Sequence, residues 1–367
     1  MRIDHLSLQN FRNYVRQSID FAPDSNVIVG ENAQGKTNLL EAISFLSCAR
    51  SARARVDREM IRFGETEARL RGEIFSRERE FSVDVELYSG KRRKISINKV
   101  AAKRAGDLSG VLGTVFFCPE DLMLIREGAA ARRRFMDQSL CQLRPRYASA
   151  LAEYNRLYEH KTRILRDCAE HPALLDALPD FNARMAAAGA VLIHYRARFC
   201  GRLAEYAAAA HGECSGGRET LTLRYQTVKS VADPFAGQDV LVGQLLEHQR
   251  DHAQAELSSR LCLSGPHKDD IAAEIGGENA RLYSSQGQAR TAALALKLAE
   301  RDIYREVTGQ APVLLLDDVL SELDPKRQEF VLNRVGGGQI FITCCEEDRL
   351  GALVAGRVLR VEKGEVR

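Results

Sequence analysis

Gly30-Glu31-Asn32-Ala33-Gln34-Gly35-Lys36-Thr37 fits the pattern GxxxxGK[ST] in full. Each residue type in it has a chemical task. Glycines let backbone N–H groups turn toward an anion, and a helix opening at the end of the loop adds the positive end of its dipole. Lys36 reaches the β- and γ-phosphates of a nucleoside triphosphate, and the Thr37 hydroxyl holds Mg²⁺. Far along the chain, Val313-Leu314-Leu315-Leu316-Asp317-Asp318 places two carboxylates at the end of an apolar run. Brought beside Thr37, Asp317 would bind the same Mg²⁺ directly or through water, and Asp318 would orient or deprotonate an attacking water. A single aspartate there could cap a helix. Two of them, in a chain that also has a phosphate loop, point to hydrolysis. The expected ligands are ATP and Mg²⁺. The expected nucleotide-binding stretch is Gly30, Glu31, Asn32, Ala33, Gln34, Gly35, Lys36, Thr37 and Asn38, with Asp318, Lys36 and Asp317 as catalytic residues.

Such groups need rigid elements to hold them. Val27-Ile28-Val29 reads as a strand that stops at Gly30, and Asn38-Leu39-Leu40-Glu41-Ala42-Ile43 as a helix opening, which is the setting a phosphate loop requires. Val313–Leu316 and Gln339–Thr343 read as buried strands flanking a helix over Lys326–Val335. Residues 67–100 alternate as antiparallel β, with a Ser89-Gly90 turn. From about 130 to 212 the period becomes helical. Met185, Ala188, Leu192, Tyr195, Phe199, Leu203 and Tyr206 form one stripe and Tyr147, Leu151, Tyr154 and Tyr158 another, both expected to pack helix on helix. Gly212 to Gly237, punctuated by Gly and Pro, is expected to lead back to a final α/β segment. The organisation is α/β, helical insert, α/β.

Composition excludes several classes. The chain has 367 residues, 45% hydrophobic and 28% charged, with 53 basic and 50 acidic side chains. That balance does not by itself announce nucleic-acid binding, so any such contact must come from local clusters. Nine cysteines without CxxC spacing are expected to be free thiols of a reducing cytosol. Met1 to Tyr14 lacks the apolar core of a signal peptide, and no run reaches about 18 apolar residues, so a cytoplasmic location is expected.

One segment narrows the class. Tyr283-Ser284-Ser285-Gln286-Gly287-Gln288, followed by a helix and then the Asp317 strand, resembles the LSGGQ signature of ABC ATPases. Val319-Leu320-Ser321-Glu322-Leu323-Asp324 resembles the D-loop of that family, which puts Ser321 and Asp324 among its candidate residues. The resemblance implies a homodimer closed by ATP, in which Ser284, Ser285, Gln286, Gly287 and Gln288 of one subunit cap the γ-phosphate held by the other. The implied fold is an ABC-type ATPase head, a mixed sheet with flanking helices plus an antiparallel β part, carrying an inserted α-helical lobe. Residues 1–125 and 262–367 would form the ATPase lobe, and 126–261 the mainly helical one.

Asn10-Phe11-Arg12-Asn13-Tyr14 resembles the opening of SMC-like DNA ATPases, where the arginine lies near the nucleotide, so Arg12 joins the nucleotide-binding candidates. The stretch from phosphate loop to signature is longer than in transporter subunits and too short for a long coiled coil. Phe116–Leu122, Arg132-Arg133-Arg134-Phe135-Met136-Asp137 and Ser264-Gly265-Pro266-His267-Lys268-Asp269-Asp270 are similar to the RecF family. That resemblance implies weak ATPase activity and ATP-dependent binding to double-stranded and gapped DNA. It also implies RecO- and RecR-type partners, loading of RecA, and roles in repair, replication restart and the SOS response. Departures are visible. Asp318 stands where transporters carry Glu, which favours slow hydrolysis. The last core strand ends Thr343-Cys344-Cys345 without a sensor histidine, leaving Thr343 as nearest candidate. No clear Q-loop glutamine exists, and Glu120 or Asp121 stands in its region.

Two basic clusters, Lys91-Arg92-Arg93-Lys94 and Arg132-Arg133-Arg134, are the DNA candidates. Without interleaved aromatics they suit phosphate contact rather than base stacking. The rival readings are a membrane transporter's nucleotide-binding subunit and a metabolic P-loop kinase.

Overall fold

The computed structural model describes residues 1–51, 53–54, 56–334, 336–345 and 356–367. The amino-terminal part contains β1 (Arg2–Phe11), β2 (Tyr14–Asp20), β3 (Ser25–Val29), α1 (Lys36–Cys48), β4 (Glu67–Ser76), β5 (Arg79–Tyr88), β6 (Lys94–Ile97), β7 (Val100–Ala101) and β8 (Thr114–Phe117). The middle contains α2 (Ala129–Leu143), α3 (Pro145–Asp167), α4 (Leu178–Ser215), β9 (Leu221–Gln226), α5 (Gln238–Asp251) and α6 (Ala253–Ser259). The remainder contains β10 (Asp270–Ile275), β11 (Glu278–Asn279), α7 (Ala280–Tyr283), α8 (Gln286–Thr308), β12 (Val313–Leu316), α9 (Pro325–Arg334), β13 (Ile340–Cys344), β14 (Arg357–Glu362) and β15 (Glu365–Val366).

Five parallel strands in the order β14-β3-β13-β12-β8 form the central sheet, with β15 antiparallel at its edge. Side chains alternate across a strand, so a strand covered on both faces must be apolar throughout. Val313, Leu315, Phe341 and Ile28 enter one core with α1 and the antiparallel sheet. Leu314, Leu316, Ile340, Ile342 and Val27 enter the other with α2, α3, α4 and α8. The sheet is thus the wall between two cores.

A second sheet, β2-β1-β4-β5-β6-β7, is antiparallel, and in β5 it buries Val83, Val85 and Leu87 against α1 and β1. The Gly212–Gly237 stretch holds more than a return path. It contains β9, which pairs antiparallel with β10, and with β11 they make a third sheet. The alternation in Leu221–Gln226 and Asp270–Ile275 covers six residues each, a short signal beside the turn residues around it. The helix expected over Lys326–Val335 is α9, and Val335 lies outside the described residues. Among the described residues no helix is long and apolar enough to cross a membrane.

Candidate functional site

The phosphate loop is fixed at both ends by β3 and α1. Gly35 has φ +123°, and a Cβ there would lie 2.6 Å from Asn13 Nδ2. At Gly30 a Cβ would lie 2.3 Å from the Val361 carbonyl oxygen of β14. Close packing therefore demands both glycines in addition to the turn itself. Lys36 is buried, and its Nζ donates to the carbonyls of Gly30 at 2.6 Å and Glu31 at 3.1 Å, with Cys345 Sγ 3.6 Å away. The ammonium is held across the mouth of the loop, where phosphate oxygens can compete for it.

Neighbouring elements clamp the loop from outside. The Tyr14 hydroxyl donates to the Gly35 carbonyl at 2.9 Å, and Asn13 Nδ2 donates to the Gln34 carbonyl at 2.7 Å. Asn38 Nδ2 donates to Asn13 Oδ1 at 2.9 Å. From the carboxyl-terminal hairpin, the Lys363 N–H donates to Gln34 Oε1 at 2.6 Å and the Gly364 N–H to the Gln34 carbonyl at 3.1 Å. Sequence reasoning assigned no role to Asn13 or Tyr14, although their place in the β1–β2 turn beside Arg12 was the available signal.

β12 runs beside β13, and β13 beside β3, so the aspartate pair emerges at the same sheet edge as the loop. The Thr37 hydroxyl donates to Asp317 Oδ1 at 3.0 Å, and the Thr343 hydroxyl donates to the same oxygen at 2.9 Å. Burial pushes the Asp317 carboxyl above its ordinary value, the two hydroxyls pull it back, and the charge of Asp318 adds to the rise. A hydroxyl and a carboxylate meeting in this way fit Mg²⁺, which takes one or two protein ligands and completes its octahedron with water and phosphate oxygens. Asp318 has φ +51°, a left-handed conformation that aspartate tolerates, and its N–H donates to Thr343 Oγ1 at 2.8 Å. Thr343 therefore orients both aspartates from inside the fold, and its buried hydroxyl is occupied by them. Asp318, Asn32, Pro119, Ser321, Thr343 and Cys345 are among the residues that line a cavity of about 640 Å³ at this edge. Asp121 accepts from the Cys118 N–H at 3.0 Å and caps its own turn.

Ser284, Ser285, Gln286, Gly287 and Gln288 form the start of α8. Ser285 Oγ accepts from the Gln288 N–H at 3.2 Å while Gln288 Oε1 accepts from the Ser285 N–H at 2.8 Å, a capping box. Arg126 donates to the Ser284 carbonyl, and Gln288 Nε2 donates to Glu219 at 2.9 Å. Ser285 and Gln286 are exposed, as are Leu282 and Tyr283 beside them, and none of these residues lines the cavity at Asp318. In the D-loop segment, Ser321 Oγ donates to the Asp318 carbonyl at 2.6 Å and Asp324 Oδ1 accepts from the Arg327 N–H at 3.1 Å.

Several expected contacts are engaged elsewhere. Arg12 forks onto Glu41 of α1, with Nε to Oε2 at 2.9 Å and Nη2 to Oε1 at 2.7 Å, and donates to the Glu59 carbonyl at 2.6 Å. Among the described residues its guanidinium makes no hydrogen bond to residues 30–37. Arg132 corrects the DNA expectation. It is 4% exposed, pairs with both oxygens of Asp270 at 2.6 and 2.9 Å, and donates to the Glu127 carbonyl at 2.6 Å. A buried guanidinium saturated by these partners is a tether and not a DNA contact. Arg93 likewise turns inward onto the Ala49 carbonyl and Asp57. Lys91, Arg92 and Lys94 stay exposed, with Lys91 over the Tyr88 ring at 3.9 Å. Arg133 donates to the Asp269 carbonyl at 2.6 Å, while Arg134 is exposed. Arg133 and Arg134 line a cleft of about 510 Å³ together with Arg50 and Arg53, and Asp137, the carboxylate that lines it among the described residues, is paired with Arg196 at 2.8 Å.

Comparison with known proteins matches residues 2–365 to the model of the RecF/RecN/SMC N terminal domain. The chain is 40% identical to the DNA replication and repair protein RecF of Agathobacter rectalis, covering 100% of this chain and 99% of that one. It is 36% identical to the RecF of Acetivibrio thermocellus, over 95% and 94% of the two chains. Among solved structures it is similar to the recombination mediator protein RecF-ATP in the RecFOR pathway, with TM-score 0.90, 33% identity and coverage of 100% and 96%. A Smc head bound to the C-winged helix domain of ScpA superposes with TM-score 0.56 at 16% identity, a likeness of fold.

Proposed function

Because the chain belongs to the RecF family, with the α/β ATPase-head fold shared by RecF and SMC proteins, we propose that it is an ATP-switched, DNA-binding recombination mediator. One observation carries the mechanism. Asp318, at the edge that gathers Lys36, Thr37 and Asp317, lines a cavity, while Ser285 and Gln286 of the signature segment are exposed and line none of it. A second copy can therefore complete each site, and ATP becomes the bond of a twofold dimer.

In this mechanism Lys36 leaves its loop carbonyls for the β- and γ-phosphate oxygens, and the Gly30–Thr37 backbone cradles the rest. Thr37 and Asp317 would hold Mg²⁺, and the ion would supply positive charge against the phosphates. Asp318, held by Thr343, orients the attacking water and accepts its proton. Ser285 and the Gly287 N–H of a second copy cap the γ-phosphate at a helix N-terminus. Ser321 and Asp324 keep the D-loop at the dimer seam. Arg12 acts through α1, which it grips at Glu41. Hydrolysis removes the shared γ-phosphate and opens the dimer. An aspartate at position 318, one methylene shorter than glutamate, suits a slow switch.

Residues 1–125 with 262–367 act as the ATPase lobe and 126–261 as the mainly helical one. Lys91, Arg92 and Lys94, together with Arg133 and Arg134 in the arginine-lined cleft, supply sequence-independent phosphate contacts. By family, gapped duplexes, RecO- and RecR-type partners, RecA loading and SOS induction complete the reading. A transporter subunit is not favoured, since relatives matching over full length are repair proteins. The test is binding to gapped and blunt duplexes with ATP, ADP and no nucleotide. Wild type should bind best with ATP and prefer the gap. Equal binding by Lys36→Ala would overturn the switch.

A further inference from the structure

The signature start and the D-loop are separate in sequence, joined only through the whole of α8 and β12, yet their ends lie side by side. Arg327, in the first turn of α9, spans them. Its Nε and Nη2 donate to Thr291 Oγ1 of α8 at 3.0 and 2.8 Å, and Nη2 also donates to the Gly287 carbonyl at 3.1 Å. Its third nitrogen, Nη1, pairs with the Asp324 carboxylate at the end of the D-loop. Asp324 in turn caps α9 through the Arg327 N–H at 3.1 Å. Thr291 Oγ1 donates onward to the Gly287 carbonyl at 2.9 Å. A second tie runs the other way, from Arg290 of α8 to the Glu322 carbonyl at 2.9 Å and carboxylate at 3.1 Å.

We infer that Arg327 is a positioning residue that locks the signature start and the D-loop into one block, so that both meet a second copy at a fixed spacing. This rests on the ATP-bonded dimer proposed above. The bland alternative is an ordinary surface ion pair. Arg327 is 28% and Asp324 43% exposed, and pairs of that exposure add little to stability. The geometry says more than the charge does. Three guanidinium nitrogens reach a carbonyl, a hydroxyl and a carboxylate on two elements, and only a planar fork can serve all three. Lysine, a single point donor, can serve one or two. Groups that act on a nucleotide held by the other subunit tolerate little displacement, because an error of about 1 Å can cost on the order of 100-fold in rate.

The experiment compares wild type, Arg327→Lys and Arg327→Ala in the full chain. Affinity of the monomer for a fluorescent ATP analogue, thermal midpoint, and dimer fraction by light scattering with ATP and Mg²⁺ are read together. Monomer affinity and thermal midpoint should stay near wild type in both variants, since the phosphate loop is elsewhere in the chain. Dimerisation should weaken by about 10-fold or more in Arg327→Ala and by less in Arg327→Lys. Mixing Arg327→Ala with Lys36→Ala should recover dimer, since the second chain supplies an intact signature and D-loop to the first chain's intact phosphate loop. If wild type dimerises on ATP and Arg327→Ala does so equally, the lock is wrong. Full recovery by Arg327→Lys would show that charge alone suffices and would overturn the fork. Failure of wild type itself to dimerise would instead sink the reading on which the lock rests.

Discussion

A single hydroxyl, that of Thr343, sets the attitude of both aspartates, Asp317 and Asp318. It donates to Asp317 and accepts from the backbone of Asp318, so losing it releases a buried carboxylate and a strained turn together. Asp317 has a carboxyl raised above its ordinary 3.8 by burial, so the folded state binds the proton more tightly than the unfolded chain. Its charge therefore costs stability once the pH rises through the folded value, and costs nothing below 3.8. Asp317→Asn should consequently raise the thermal midpoint at pH 7 relative to wild type. It should also abolish the further rise expected of wild type with ATP and Mg²⁺. A midpoint that falls in scanning calorimetry would contradict the burial argument. Asp318→Asn removes the proton acceptor and leaves the Thr343 bond to its backbone. Turnover should fall about 100-fold or more, a common loss for a general base, while ATP binding persists and the dimer lives longer. Single-turnover kinetics beside light scattering measures both.

Among elements, two of the segments that resembled the RecF family, Arg132–Asp137 and Ser264–Asp270, turn out to be partners of each other. Arg132 and Arg133 of α2 bind Asp270 and the Asp269 carbonyl, and Arg196 of α4 joins Asp137 of α2 to Asp269, each at 2.8 Å. The Tyr147 hydroxyl of α3 bonds Asp137, and Arg196 also donates to it at 2.9 Å. Tyrosines read from the sequence as helix packing are therefore polar anchors as well. Arg196 is 3% exposed and Asp269 fully buried, so Arg196→Ala would strand two carboxylates. Its cost should be about 3–5 kcal/mol by urea denaturation, and a value under about 1 kcal/mol would contradict the burial reading. His267 reports on the same junction. Burial, with the charges of Lys268 and Arg133, lowers its pKa to about 4 against the pull of the Cys262 carbonyl. The folded state thus prefers the neutral ring. Its contribution is complete above 6.5 and is lost as pH falls from there toward 4, amounting to about 2 kcal/mol by pH 5. His267→Gln should flatten that part of the stability–pH curve.

For the molecule as a whole, the predicted event is association. Light scattering should give a dimer with ATP and a monomer with ADP or no nucleotide, and Lys36→Ala should stay monomeric throughout. Equal mass in all states would end the sandwich mechanism. Net charge of +3 provides little long-range attraction, so DNA affinity should depend on a few local contacts. Reversing Lys91 or Arg134 to Glu should weaken duplex binding for all sequences alike. Each lost contact should lower the slope of log affinity against log salt by about 0.9, as read by anisotropy titrations. Arg132→Glu should instead destabilise the fold, because its guanidinium lies inside the protein.

The strand, glycine turn and helix around residues 30–37, the apolar strand before Asp317 and the helix start at Gln286 were legible from the sequence because each is local. A glycine turn, an apolar run and a helix start are fixed by neighbours along the chain. The six-residue strands β9 and β10 were not legible, because they pair with each other across α5 and α6 and their alternation is brief. Nor could the sequence tell that Arg132 turns inward while Arg134 does not, or that Arg12 grips Glu41 of α1. Three consecutive arginines look alike until a helix points them in different directions. Which guanidinium meets a carboxylate, and which meets water, is set by contacts between residues 29 positions apart for Arg12 and Glu41 and 138 apart for Arg132 and Asp270. Only the folded chain brings these together.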